Sequence, residues 1–197
     1  MAIYMMRENT YTYSYDFRNK TTSQITSDGW TLLTWVLNVN SNWILWSSYS
    51  DCRLAYTIPS LATAKRIIIS GTFIGSTNSL NATSFMVGYG SWWGTSATWS
   101  NYQWSSYAWI KVFCKTNWTS ESGNVVGYIT ATNTYKPTIT IDLENKLVTG
   151  VLSWFSNSTY SLSDTQVNDI RNNYTQLIPY VSVNHTVISD ISIDVEY

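Results

Sequence analysis

Strict alternation of apolar and polar residues marks segments near both ends of the chain. From Thr10 to Phe17 aromatic residues occupy every second position from Tyr11 onward, and from Ile191 to Tyr197 every second residue is again apolar. Because successive side chains of a strand point to opposite faces, each segment predicts a strand with one buried face. A β-branched run at 65–74, bounded by Gly75, predicts a third strand more strongly.

Shorter apolar runs between these segments predict further strands. They lie at 30–37, 43–46, 53–58, 84–89, 107–114, 124–130 and 178–183. Residues 136–155 predict a hairpin, because two strand-like runs flank the turn-forming Glu144 and Asn145. The ten to twelve predicted strands show no composition break between them. The pattern therefore predicts one all-β domain, a two-sheet antiparallel sandwich or jelly roll.

One segment departs from the strand pattern. Ser163 and Gln166 have the spacing of a capping box, in which each side chain accepts a hydrogen bond from the other residue's backbone amide. The apolar residues that follow share a helix face, and Asn172 with Asn173 provides a stop. One short helix is therefore predicted at 164–172, and no other helix is predicted.

The first nine residues fall outside the alternating pattern. Residues 1–9 are predicted to form an N-terminal arm, and residues 10–197 a single sandwich domain. The arm is apolar and nearly uncharged. Two interpretations are open: the arm docks on a neighbouring subunit, or it adds a terminal strand to the sheet.

Composition excludes several classes of function. Charged residues make up only 12% of the 197 residues, and Asn, Ser and Thr supply the polarity instead. The 11 Trp and 15 Tyr provide enough apolar surface to argue against intrinsic disorder. A net charge of −1 argues against charge-driven nucleic-acid binding. No apolar stretch approaches the roughly 18 residues of a membrane span, and the opening residues lack the pattern of a signal peptide.

The order of these motifs resembles the concanavalin A-like lectin and glucanase jelly roll. The similar features are an aromatic opening strand, an Asp-Gly-Trp, a central strand, a hairpin, a short helix and a closing strand that would pair with the first. They lie at Asp16–Phe17, Asp28–Trp30, Arg66–Gly71, Thr138–Asp142, Leu162–Gln166 and Ile188–Asp194. In the form found in bacteriophage tail and head-fibre proteins, the resemblance implies a compact adhesive or structural module without catalytic residues.

The residues argue against an enzyme. The glucanase branch of the resembled family implies a Glu-x-Asp-x-x-Glu strand with paired carboxylates, and none of the four glutamates lies in one. Asp142 and Glu144 are the closest pair, but they border a turn and are interpreted as a solvated hairpin tip. His185 is the one histidine and is interpreted as a polar surface residue, because no Gly-x-Ser-x-Gly elbow accompanies it.

No cofactor or metal is predicted. The glycines at 87–94 lack the spacing of a phosphate loop, and one histidine excludes a metal site built from several imidazoles. Cys52 and Cys114 lack a metal-binding spacing and are predicted to be reduced and buried, with a disulfide as the alternative. Calcium is a minority alternative, since the resembled lectins often use Asp and Asn ligands.

The most informative functional signal is the Trp- and Tyr-rich segment at 89–109. Small polar residues separate its rings, which is typical of a loop and differs from a core strand, where aliphatic residues would alternate. Rings beside amides and hydroxyls suit sugar stacking or a protein interface, and the third interpretation is that they cap the open end of the sandwich. The candidate ligand- or partner-binding residues are Tyr89, Trp92, Trp93, Trp99, Asn101, Tyr102, Gln103 and Trp104.

Three functions remain open. The favoured one is a non-enzymatic virion structural protein (a capsid decoration, head-fibre or tail module) that uses a lectin-like sandwich for adhesion or subunit contact. Its predicted partners are other virion proteins or further copies of itself as a homo-oligomer, with cell-surface glycans as additional partners. It would be made in the host cytoplasm and end in the virion. The alternatives are a free carbohydrate-binding lectin with an exposed Trp/Tyr platform and, less favoured, a glycoside hydrolase of the same fold.

Overall fold

A computed structural model shows two antiparallel sheets and two short helices. It describes residues 3–7, 9–33, 38–39, 44–45, 52–74, 82–89, 96–103, 109–115, 134–152, 157–181 and 187–197. The strands are β1 Ile3–Arg7, β2 Thr10–Asp16, β3 Thr31–Leu32, β4 Asn38–Val39, β5 Ile44–Leu45, β6 Cys52–Thr57, β7 Arg66–Ile74, β8 Ala82–Tyr89, β9 Ser96–Gln103, β10 Trp109–Lys115, β11 Thr134–Tyr135, β12 Pro137–Asp142, β13 Leu147–Leu152, β14 Ser158–Ser161, β15 Gln176–Val181 and β16 Val187–Glu196. The helices are α1 Thr22–Ser27 and α2 Asp164–Asn173. For β1, β4, β5, β9 and β10 the description covers the backbone.

The strands divide into a larger and a smaller sheet. The larger sheet has ten strands, with a main path β1-β2-β16-β7-β12-β13-β14; β11 pairs with β7, and β5 pairs with both β4 and β16. The smaller sheet has six strands in the order β10-β9-β8-β15-β6-β3. Every described pairing is antiparallel. The predicted two-sheet antiparallel sandwich is therefore confirmed.

The closing strand lies in the middle of the larger sheet. β16 pairs with β2 on one side and with β7 on the other, so Ile193 stands opposite both Tyr13 and Ile69. All three side chains are fully buried in the core between the sheets. The predicted pairing of the last strand with the opening aromatic strand is confirmed. The family resemblance implied this pairing, and the alternation within each strand places one side chain in two in the core.

Gly71 in β7 is required by the packing between the sheets. A Cβ atom at this position would lie 2.5 Å from Cε1 of Phe85 and 2.6 Å from the carbonyl oxygen of Asp190. Beside it, β16 shifts register between Ile188 and Asp190. Glycine leaves the space that the ring of Phe85, on the smaller sheet, occupies.

Aromatic side chains fill the core near the start of the sandwich. Tyr13 stacks on Tyr56 with ring centroids 3.9 Å apart, and Trp30 packs 5.3 Å from Tyr56. Trp30 is 2% exposed, and Phe17 lies 5.2 Å from it. Gly29 has a φ of +98°, and its position lies against the Tyr56 ring. These rings form one cluster that contributes dispersion and hydrophobic stabilisation.

A charged contact closes the edge of this aromatic cluster. Asp28 accepts hydrogen bonds from the Tyr15 hydroxyl at 2.8 Å and from Lys20 Nζ at 3.0 Å. The bond from Lys20, followed by the bond from Tyr15, holds the pKa of Asp28 below its ordinary value. Burial, and then the same bond to Asp28, raises the pKa of the Tyr15 phenol. The contact ties the residue that ends α1 to β2.

The predicted helix is confirmed, and its cap is the predicted one. α2 covers 164–173, one residue longer than predicted. Ser163 Oγ accepts from the Gln166 amide at 3.2 Å, and Gln166 Oε1 accepts from the Ser163 amide at 2.8 Å. Because Gln166 is buried and its Nε2 also donates to the Tyr160 hydroxyl, the cap anchors the helix to the larger sheet.

The prediction of a single helix is wrong, because the structure also contains α1. Thr21 and Gln24 form the same capping box as the first residues of α2. The helix has six residues and buries only Ile25, so no 3.6-residue apolar period could show it. The capping spacing was the one available signal.

The predicted number of strands was too low. The described residues form sixteen strands rather than ten to twelve, and four of these (β3, β4, β5 and β11) have two residues. Strands of that length are too short to show an alternating pattern. The predicted strand at 124–130 lies outside the described residues.

The N-terminal residues form an edge strand of the larger sheet. β1 pairs with β2 from Ile3 opposite Ser14 to Arg7 opposite Thr10. Of the two open interpretations of residues 1–9, this pairing corresponds to a terminal strand added to the sheet. The division between arm and domain, and a contact of the arm with another subunit, stay predictions.

Candidate functional site

The structure places part of the candidate set on neighbouring strands of the smaller sheet. Four candidates belong to β9 and one ends β8; these are Trp99, Asn101, Tyr102, Gln103 and, on β8, Tyr89. Trp92, Trp93 and Trp104 lie outside the described residues. β9 pairs with β8 and with β10, so the interpretation of residues 96–103 as a loop is wrong. Thr, Trp and Tyr have high strand propensity, and this outweighs the lack of aliphatic residues.

Burial separates the two faces of the smaller sheet. Phe85 on β8 and Leu177 on β15 belong to the core between the sheets. Met86, Ile178 and Ala55 form a separate apolar cluster, with exposures of 4%, 0% and 3%. Since adjacent residues of a strand point to opposite faces, this second cluster lies on the face turned away from the larger sheet. For either sheet, we call the face turned away from the other sheet the outer face.

The strand register relates the predicted residues to this outer face. Trp99 pairs with Met86 of β8 and with Phe113 of β10. Directly paired residues of an antiparallel ladder belong to the same face of a sheet. Positions 99, 101 and 103 of β9 are therefore outer-face positions, and the intervening Tyr102 is at a core-face position.

Tyr89 is not at an outer-face position. It is half-buried against the core, and its ring centroid is 5.8 Å from that of Tyr174, which is 1% exposed. The sequence grouped Tyr89 with the β9 residues because all lie in one aromatic segment. The structure places it among core rings; its role in binding stays a prediction.

Sequence analysis missed two residues of the outer face, Arg53 and Tyr180. They pair directly across β6 and β15, and the guanidinium carbon of Arg53 lies 5.0 Å from the centroid of the Tyr180 ring. That distance is within the range of a cation–π interaction. Nothing in the sequence links two residues so far apart in the chain, and neither lies in an aromatic-rich segment.

Asp142, of the Asp142 and Glu144 pair considered in the sequence analysis, has a structural role. Asp142 Oδ1 accepts from the amides of Glu144 at 3.2 Å and Asn145 at 2.8 Å, and Oδ2 accepts from Asn145 Nδ2 at 2.9 Å. Burial acts to raise the pKa of Asp142, but the bonds from Asn145 and the charge of Arg66 outweigh it and lower that pKa. Asp142 thus closes the turn between β12 and β13, and the interpretation of the pair as a hairpin tip is confirmed.

The structure describes Cys52 but not the other cysteine side chain or the histidine. Cys52 is buried in the core with 3% exposure, as predicted, whereas the Cys114 side chain and His185 lie outside what is described. Within the described residues, no three Asp, Glu, His or Cys side chains come together as metal ligands would. Neither of the two described helices is long and apolar enough to cross a membrane.

No family profile matches this chain, and no curated protein matches it either.

Comparison by structure finds solved jelly rolls that match almost the whole chain. The CBM2 module of the evolved Dit of Lactobacillus casei BL23 phage J-1 matches with a TM-score of 0.67 and 10% identity over 98% of this chain and 99% of that one. The winged bean acidic lectin, solved with methyl-α-D-galactose, has a TM-score of 0.68 and 12% identity over 94% and 98%. The carbohydrate recognition domain of Emp46p, in its potassium-bound form, has a TM-score of 0.65 and 11% identity over 91% and 95%. At these identities the likeness establishes the fold: this chain has the concanavalin A-like lectin jelly roll that its sequence resembles.

Proposed function

We propose that this chain is a non-enzymatic adhesion module of a virus particle, a capsid decoration, head-fibre or tail component with a lectin-like sandwich. The observation that carries the proposal is the match to the phage J-1 Dit module, which covers 98% of this chain and 99% of that module. Because the match covers almost all of both chains, the whole of the described sandwich corresponds to that one module. The Dit is a phage protein, and its module is described as carbohydrate-binding.

The proposed contact surface lies along β9 of the smaller sheet, at outer-face positions beside the buried cluster of Met86, Ile178 and Ala55. Trp99, Asn101 and Gln103 are at outer-face positions of β9, where Trp99 pairs with Met86 and Gln103 pairs with Ala82 of β8. Arg53 and Tyr180 extend the same face across β15 and β6. Aromatic rings stack on the C–H groups of sugars, and amides and guanidinium groups bond hydroxyls, so this residue set suits a glycan.

A free lectin is the second candidate. The winged bean acidic lectin and the Emp46p domain support it, because their descriptions name a bound sugar and carbohydrate recognition. Both candidates use the same surface, and they differ in where the protein resides. A particle module sediments with virus particles, whereas a free lectin stays in the supernatant.

Two measurements on the full-length protein test the proposal. Antibodies raised against the purified chain are used for immunogold labelling of particles sedimented from the source culture, and the purified chain is applied to a glycan array. Labelled particles with glycan binding support a virion adhesin, and unlabelled particles with glycan binding support the free lectin. Labelled particles without glycan binding restrict the role to subunit contact. If the particles are unlabelled and the chain binds no glycan, both candidates are overturned.

A further inference from the structure

Trp30 is a buried indole whose N–H finds no acceptor among the described residues. It is 2% exposed, and no described group accepts a hydrogen bond from its Nε1. An indole that has lost one electron is normally stabilised by release of this proton. Because Trp30 has no group to receive the proton, an oxidised Trp30 keeps a positive charge inside the core, where burial of a charge is unfavourable.

Tyr15, at the edge of the same aromatic cluster, does have an acceptor for its proton. Its ring centroid lies 5.4 Å from that of Trp30, and its hydroxyl donates to Oδ2 of Asp28 at 2.8 Å. Tyr15 is itself 2% exposed, whereas the Asp28 side chain is 36% exposed. The pair therefore connects the buried rings to a carboxylate that is in contact with solvent.

Lys20 determines in which form Tyr15 can be oxidised. Its Nζ lies 5.6 Å from the centroid of the Tyr15 ring and donates to Oδ2 of Asp28 at 3.0 Å. This cation disfavours a positively charged ring, so the loss of an electron from Tyr15 is accompanied by the loss of its phenol proton. An oxidised phenol is a much stronger acid than a carboxylic acid. The ionised Asp28 therefore accepts the proton although Lys20 donates to the same oxygen.

We propose that Tyr15 is the final electron donor of the aromatic cluster and that Asp28 accepts its proton. A one-electron oxidant, such as a photo-excited flavin, first removes an electron from Trp30. An electron then passes from Tyr15 to Trp30 as the phenol proton passes to Oδ2 of Asp28. The products are a neutral Trp30, a neutral phenoxyl radical at Tyr15 and a neutral carboxylic acid at Asp28. Oxidation is thereby moved from a buried indole to a phenol at the edge of the core.

The first experiment measures the oxidation of Trp30 itself. The full-length protein is illuminated with riboflavin in aerated buffer, and mass spectrometry of its peptides gives the fraction of Trp30 converted to oxygenated products. Tyr15→Phe keeps the ring but removes the transferred proton, so we expect several-fold more oxidation of Trp30 than in the unsubstituted protein. Tyr56→Phe is the matched control, because the centroid of that ring lies 5.3 Å from that of Trp30, and we expect it to leave Trp30 oxidation unchanged.

The second experiment separates the carboxylate from the hydrogen bond. The side chain in Asp28→Asn can still accept a hydrogen bond from the phenol but cannot hold its proton, so we expect several-fold more oxidation of Trp30. Asp28→Glu retains a carboxylate and should bring Trp30 oxidation back towards the value of the unsubstituted protein. Electron paramagnetic resonance of samples frozen during illumination follows the radical directly. Its tyrosyl signal should fall in Tyr15→Phe and in Asp28→Asn and stay unchanged in Tyr56→Phe.

Each outcome supports or overturns the inference. Equal oxidation of Trp30 in the unsubstituted protein and in Tyr15→Phe overturns it. Equal effects of Tyr15→Phe and Tyr56→Phe overturn the assignment to Tyr15, and protection of Trp30 that survives in Asp28→Asn overturns the role of the carboxylate. Thermal melting verifies that each variant folds. If Asp28→Asn does not fold, the comparison of Tyr15→Phe with Tyr56→Phe decides the outcome.

Discussion

The outer faces of the two sheets use their polar residues differently. On the larger sheet, Arg66 lies 3.1 Å from Glu196 and 3.6 Å from Asp142, and Ser70 Oγ is 2.6 Å from Ser192 Oγ. These groups bond within the sheet and hold adjacent strands in register. On the smaller sheet, the outer positions combine an apolar cluster with rings, amides and cations.

The difference shows that residue type alone does not determine which face of a sheet a side chain occupies. Trp30 and Trp99 are both tryptophans, yet Trp30 is 2% exposed within the core cluster and Trp99 is at an outer-face position. Paired substitutions at core-facing and outer positions test this contrast, and the largest effect is expected at the tryptophans.

Substitution of the two tryptophans is expected to have opposite effects. Trp30→Ala removes a buried ring and should lower the free energy of unfolding by about 3–5 kcal/mol. Trp99→Ala, and the same change at Trp92, Trp93 or Trp104, should cost little stability but weaken glycan or particle binding by about 1 kcal/mol or more. Denaturant unfolding and a binding titration measure both quantities. A loss of stability in Trp99→Ala as large as that in Trp30→Ala would refute the platform.

Gly71→Ala is expected to disrupt the contact between the sheets. The added methyl group meets Phe85 and the Asp190 carbonyl, and overpacking of this kind costs about 1–3 kcal/mol. Ser70→Ala is the control on the outer face of the same strand; it removes one hydrogen bond and should cost about 1 kcal/mol. If urea unfolding ranks the two variants in the reverse order, the packing account of Gly71 is wrong.

Removal of residues 1–8 should leave the fold intact and weaken assembly. β1 is the terminal strand of the larger sheet's path and pairs with β2, so its loss removes one edge ladder and leaves the central strands paired. Thermal melting gives the cost in stability, and sedimentation gives the change in assembly. A large fall in melting temperature with unchanged assembly would identify β1 as an ordinary structural strand.

Asp28→Asn should alter the dependence of stability on pH. Because the bonds from Lys20 and Tyr15 lower the folded-state pKa of Asp28, its contribution is present above the unfolded-state pKa of about 3.9 and is lost as pH falls through the folded value. The variant should melt slightly below the native protein at pH 7, and the two should converge in acid. Asp194→Asn, at an outer position of β16 opposite Thr12, is the control and should change the melting temperature at pH 7 less than Asp28→Asn does. A difference that persists at the lowest pH would contradict the assignment to ionised Asp28.

The smallest expected effect is in an assay of hydrolysis, because we expect the protein to have no hydrolytic activity. Incubation of the pure protein with β-glucans, peptidoglycan and capsular polysaccharides should release no reducing ends above the buffer control. Asp142 accepts the hydrogen bonds that close the turn between β12 and β13. Release of reducing ends that disappears in Glu144→Gln would establish a hydrolase in place of an adhesin.

Sequence patterns predicted the regular parts of the fold well. The alternation in β2, β12 and β16 and the capping box of α2 each correspond to an element of the structure. The misses have local causes: α1 has one buried residue, and β9 has polar residues where a core strand usually has aliphatic ones. Of the candidate site, Trp99, Asn101 and Gln103 share one set of alternating positions, whereas Tyr89 packs among core rings.

By itself, the sequence determined that this is an all-β chain and which residues alternate along its strongest strands, because a period of two is set by local backbone geometry. Only the tertiary structure decided which alternating set of the smaller sheet faces the core. It alone brought Arg53 against Tyr180. Those relations depend on strand pairing between distant segments, and pairing is set by the burial of the whole core rather than by any one segment.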